Sequence, residues 1–198
     1  STRSGNFRIN PLTMPITLDR KKIDEALPKV APGLAKYLRI MAFVAKDPRY
    51  YDDPDFRRAF NGFYRVRRSA QTWQPQFFAL MARAKAQNFD FPRTLFELFA
   101  ATGRVEASFA SKLYATLHPN APVIDSVVLE NLGLKLPSVT DPNRQAKVVG
   151  IHAALTKTFA DLLATAEGKY LVASFRTAYP KAAVTDEKAL DLVLWQIR

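Results

Sequence analysis

One acid in this chain is placed where it could do chemistry. Asp125 follows the Pro-bounded loop HPNAP and precedes an apolar run. It belongs to the stretch Leu95–Leu132, LFELFAATGRVEASFASKLYATLHPNAPVIDSVVLENL. The pattern reads as an amphipathic helix ending at Gly103, a short turn, and a second helix from Glu106. A hairpin with an exposed Gly can offer backbone N–H groups to a phosphate. An acid just beyond it could act on whatever that phosphate anchors. The plainer role for Asp125 is N-cap of the helix Ser126–Leu132.

A second cluster lies upstream. GFYRVRRSAQTWQPQ carries Arg65, Arg67 and Arg68 with Tyr64 and Trp73. Guanidinium groups pair with phosphates and aromatic rings stack on bases, so the mixture suits nucleic acid. At helical spacing Arg65 and Arg68 share a face while Arg67 points elsewhere. The alternative is a solvated helix with Phe63 and Trp73 in the core. Tyr50, Tyr51, Trp73 and Trp195 are candidates to wall a pocket, although aromatics at helical spacing more often fill a core. Arg144, Lys147 and Lys157 could extend the basic surface. His118 and His152 are isolated, without metal-ligand spacing. Glu106 reads as a first-turn acid favourable to its helix dipole, a partner for an Arg such as Arg68, or support for a site.

The elements that must position these residues are helical. Residues 1–17 look extended, broken by Pro11 and Pro15. Helices are expected after Asp19 (RKKIDEAL), over 31–45 with Leu34, Leu38, Met41 and Phe43 inward, and after Asp53 or Asp55. That third helix reads as interrupted at Asn61-Gly62. Others are expected from Trp73 to Gln87 with Pro75 in the first turn, then over 94–101, 106–117, 126–132, 144–166, 168–178 and 185–197. Residues 135–143, with two prolines, form a loop. Strand signals are scarce, so the fold class is all-α with short connections.

Composition narrows the partners. The 198 residues suit one domain, and 48% are hydrophobic. The net charge is +11 and the pI about 10. Residues 1–70 hold 15 Lys/Arg against 7 Asp/Glu. This favours a polyanionic partner, nucleic acid or an anionic surface. The absence of Cys excludes disulfides, zinc fingers and iron–sulfur clusters. No apolar run reaches the ~18 residues of a membrane span, and the N-terminal segment has no signal-like apolar stretch. The expectation is a soluble, cytoplasmic protein.

The hairpin region resembles the helix–hairpin–helix DNA glycosylase superfamily. In that family a hairpin of the type L-P-G-hydrophobic-G-x-K-T-A leads into a helix, and a P-x-x-D or V-D element follows with the catalytic Asp. Here TGRVEASFA stands at the hairpin. Gly103 matches its first Gly, and Ala107 falls where bifunctional members carry Lys. Eighteen residues on, without gaps, lies Asp125 in PVIDSVV. Upstream, FNGFYRVRRSAQTWQPQFFALMARA and FDFPRTLFELFAATG are similar to the family's G-[FL]-Y-x-x-[KR]-A helix, its Pro-led connection and the first hairpin helix. Coverage is roughly residues 60–134, with 1–59 and 135–198 completing two helical lobes of a single domain. The departures are Thr102 for the hairpin Pro, Val105 for the second Gly and Ala107 for the Lys. A β-branched Val disfavours φ > 0, so the turn must differ.

The resemblance implies a cleft between the lobes and double-stranded DNA as partner. It implies base flipping and hydrolysis of an N-glycosidic bond with no metal or organic cofactor; the sequence leaves the oligomeric state open, a monomer being the expectation. Asp125 would be the catalytic carboxylate. Gly103, Arg104, Lys112, Arg65, Arg67 and Arg68 would hold the DNA backbone. Tyr64, Trp73 and Trp195 would be the base-pocket candidates. Without a Lys at Ala107 the enzyme would be monofunctional, lacking a strand-cleaving lyase step. Lys112 lies about 140° around the helix from Ala107 and reads as a phosphate or solvent contact. Damaged bases, such as alkylated or oxidised purines, are the family's default substrate. The alternative is a hypermodified cytosine in phage DNA, since compact members of this general type resemble bacterial proteins of antiviral defence. The competing classes are a non-catalytic helix–hairpin–helix DNA-binding module and a helical protein-interaction adaptor.

Overall fold

The computed structural model describes residues 17–66 and 73–198, and these are helical, with no strand among them. Ten α-helices follow in order: α1 Arg20–Ala26, α2 Ala31–Lys46, α3 Pro54–Phe63, α4 Gln74–Gln87, α5 Phe91–Thr102, α6 Ala107–Leu117, α7 Ser126–Asn131, α8 Arg144–Ala164, α9 Ala166–Ala178 and α10 Asp186–Leu194. Short 3₁₀ turns link α1 to α2 and precede α3. No helix among the described residues is long and apolar enough to cross a membrane.

Side-chain caps start many of these helices. Asp19, Asp53, Asp90, Asp125, Thr165 and Thr185 each accept a backbone N–H from the first turn of the helix that follows. Two differences from the sequence reading follow from local chemistry. Asn61-Gly62 does not interrupt α3, because burial of Phe56 and Phe60 outweighs the ~1 kcal/mol that one Gly costs a helix. And α5 starts three residues earlier than expected, because Asp90 caps it and Pro92 fits its first turn.

One continuous apolar core joins the helices. Phe56, Phe60, Phe77 and Phe78 pack between α3 and α4, edge-on except for the tilted Phe60–Phe77 pair. Helices α5 and α6 pack as a hairpin, with α4 and α8 against α5. The chain's two halves meet where the Tyr170 hydroxyl donates to Asp24 (2.8 Å) and Tyr179 to the Leu27 carbonyl (2.6 Å). Asn131, at the end of α7, donates from its buried amide to the carbonyls of Leu194 and Ile197. That ties α7 to the end of α10 and brings the elements around Asp125 and Trp195 together.

Candidate active site

The hairpin turn is built on one left-handed residue. Gly103 ends α5 with φ +70, and its N–H donates to the Phe99 carbonyl at 2.8 Å. Thr102, where the family has Pro, donates its hydroxyl to Leu98 and accepts the Arg104 N–H. Val105 keeps a negative φ, so the turn closes without a second Gly. Glu106 precedes α6 but caps nothing with its side chain.

Helix α6 divides its faces sharply. Ala107 is buried in the core, so this position points away from the open side. Ser108 and Lys112, one turn apart on the same face, line a cavity of about 740 Å³. Ser111 is fully buried; its hydroxyl donates to the Ser108 carbonyl and accepts the Ile124 N–H at 2.9 Å. This bond clamps the segment 122–124 onto α6 and fixes where Asp125 emerges.

Asp125 is half-buried and lines the same cavity. Its Oδ1 accepts the N–H groups of Val127 (2.8 Å) and Val128 (3.4 Å). The two roles open in the sequence, helix cap and cavity acid, therefore coexist in one side chain. Among the described residues Oδ2 takes no hydrogen bond.

Lys112 stands inside the cavity rather than on the outer surface expected for a phosphate contact. Its ammonium donates to the Tyr64 carbonyl at 3.2 Å and sits 5.0 Å from the centre of the Phe109 ring. Burial pushes its pKa down, and the negative charge of Asp125 pulls it part of the way back. Tyr64, beside it, has its phenol pushed well above the ordinary value by burial first and by the charge of Asp191 second. Tyr64 is thus a neutral wall, not a base.

The remaining expected residues separate clearly. Arg65, Arg104, Trp73 and Trp195 line the cavity. Arg65 lies past the end of α3, at φ +50, with its guanidinium 5.1 Å from the Trp195 ring centre; the helix face it was expected to share with Arg68 does not extend that far. Arg67 and Arg68 lie outside the described residues. Trp73 packs edge-on to Phe109 at 4.9 Å. Tyr50 is a buried core residue and His152 is stacked on Phe91, so neither reaches the cavity. Tyr51 and His118, the latter packed at a tilt against Tyr114, also lie outside it. Arg144 donates to the Pro137 carbonyl, Lys147 pairs with Asp141 and Lys157 with Asp161, all away from the cavity. No metal-binding group of His, Asp or Glu occurs among the described residues.

Sequence reasoning missed Asp191 and Arg198, which also line the cavity. Asp191 carried a signal, since it stands four residues before Trp195 and three after a lysine in an otherwise apolar run. No family model, curated protein or solved structure matches the chain.

Proposed function

We propose that the protein is a monofunctional DNA N-glycosylase of the helix–hairpin–helix type. It flips one modified or damaged nucleotide into the cavity and hydrolyses its N-glycosidic bond. The observation that carries the reading is Asp125 in a cavity of about 740 Å³, with the α5–α6 hairpin on one side and two tryptophans on its walls. That volume lies within the range of small-molecule sites.

The chemistry asks little of the chain. As the bond from C1′ to the base nitrogen breaks, positive charge builds on the sugar. The carboxylate of Asp125, whose Oδ2 takes no hydrogen bond among the described residues, faces that charge and stabilises it. Water adds its oxygen to C1′ and keeps one proton as the new hydroxyl; its other proton leaves through Asp125 to solvent, and the departing base takes up one proton from solvent. The products are the free base and an abasic sugar. Backbone N–H groups near Gly103, with Arg104 and Arg65, hold the phosphates on either side.

One observation favours a second reading, a non-catalytic DNA-binding module: Oδ1 of Asp125 is already committed to capping α7. Asp125→Asn separates the two, because Asn caps a helix about as well as Asp but carries no charge. Base release is measured on duplexes bearing alkylated, oxidised and hypermodified bases, with alkali to cut abasic sites. The expected result is strand cleavage only after alkali, reduced at least ~100-fold in Asp125→Asn with an unchanged melting temperature. DNA binding without release from any duplex in the panel selects the module.

A further inference from the structure

Lys188 is 1% exposed, among the most deeply buried side chains of the protein. Its ammonium donates to Oδ2 of Asp191 at 2.8 Å and lies 5.0 Å from the centre of the Tyr37 ring. Its neighbours on α10, Ala189, Leu190, Leu192, Val193 and Leu194, are apolar and buried. A buried ion pair is a poor way to stabilise a helix, because desolvation offsets the attraction, and an apolar pair of similar volume serves at least as well. What Lys188 does is hold the carboxylate of Asp191 in place at the cavity wall. The Asp191 side chain is 13% exposed, and the exposed part faces the cavity. Among the described residues its only polar side-chain partner is Lys188, through Oδ2. One turn further on, Trp195 lines the same cavity from the same helix face.

Resting on the glycosylase reading of this cavity, we propose that Asp191 is its specificity-determining residue, accepting a hydrogen bond from an exocyclic amino group while Trp195 stacks on the ring. The substrate class is then a base carrying an amino group on its pairing edge, of cytosine, adenine or guanine type. A carboxylate accepts from such a group, as it does from the N4 amino group of cytosine. The imide N–H of uracil or thymine is recessed between two carbonyl oxygens, whose negative ends meet the carboxylate first. Lys188 holds Oδ2, so the carboxylate cannot swing away or rotate to suit a keto edge.

The test uses the chain's own reporters. Its two tryptophans, Trp73 and Trp195, both line this cavity. Quenching of their fluorescence is titrated with deoxycytidine against deoxyuridine, and with deoxyadenosine against purine deoxyriboside, which lacks the amino group. The amino-bearing member of each pair should saturate about tenfold or more tighter. The double substitution Lys188→Met with Asp191→Leu, which leaves no charge unpaired, should bring both pairs within twofold. The single Asp191→Asn, whose carbonyl oxygen turns to the Lys188 ammonium and leaves its NH2 toward the cavity, should abolish or reverse the preference. Equal affinities in the wild type, no saturation by any nucleoside, or a preference that survives the double substitution overturns the assignment. Base release is scored separately. Release that depends on Asp125 with no amino preference removes only the role of Asp191, and an amino preference without release removes only the hydrolysis.

Discussion

His152 shows how far one buried side chain can tie stability to pH. Its ring stacks on Phe91 at 3.8 Å, its Nε2 has no hydrogen-bond partner among the described residues, and burial pushes its pKa down to about 4. In the unfolded chain the ordinary value is ~6.5. Between these values the unfolded state binds a proton that the folded state refuses. Stability therefore rises with pH through this window, is fully present above 6.5, and is lost as pH falls toward 4. The shift corresponds to roughly 3 kcal/mol. Urea unfolding of wild type and His152→Leu at steps from pH 7 to pH 4 isolates the effect from the carboxylates. The difference between the two should shrink or reverse on acidification, and parallel pH curves would refute it. Lys112 raises the other residue-level question, because its desolvated amine is in the cavity although Ala107 is not. The proposed monofunctional chemistry predicts no covalent adduct when the protein is incubated with damaged DNA in the presence of borohydride. An adduct that disappears in Lys112→Met would make Lys112 a nucleophile and add a lyase step.

At the scale of the element, two glycines predict opposite kinds of damage. Gly103 has open space around it but a φ of +70. Gly103→Ala therefore strains only the backbone of the hairpin turn and should cost ~1–2 kcal/mol. Gly168 has an ordinary φ, but a Cβ there would stand 1.9 Å from the Leu162 carbonyl oxygen. Gly168→Ala forces α8 and α9 apart and should cost at least ~2 kcal/mol. Denaturant midpoints should rank the variants in that order, while only Gly103→Ala reaches the hairpin. Most element starts were legible in the sequence, because an Asp or Thr cap followed by an apolar periodic run is local information. Asp125 and the turn at Gly103 were legible for the same reason. What was not legible depends on contacts between distant segments. That Ala107 faces the core and Ser108 the cavity is decided by how α6 packs on α5. The left-handed Arg65 is decided by the end of α3, and the Lys188–Asp191 pair by the burial of α10 among helices remote in the chain.

At the scale of the whole molecule, the proposed glycosylase function requires charge and cavity to agree on where DNA would lie. The excess of +11 draws a polyanion toward the protein without choosing a face. The cavity chooses one, since Arg65 and Arg104 are exposed on its lining together with Arg198, while Lys112 is held further inside. Asp191 is offset by Lys188, which leaves Asp125 and Glu106 as the acids facing a larger number of cations. Each phosphate neutralised by the rim contributes about −0.9 to the slope of log K against log salt. Three rim arginines then account for about −2.7 of the slope for duplex binding. Arg104→Gln should make the slope shallower by roughly 0.9, and the triple change to Gln by roughly three times that. Asp125→Asn, which removes a negative charge without touching the rim, should leave the slope unchanged and bind DNA no more weakly than wild type. Fluorescence anisotropy with a labelled duplex from 50 to 300 mM salt measures all three. A slope indifferent to the triple substitution would place the DNA on another face of the molecule, and Asp125 would then have no sugar within reach.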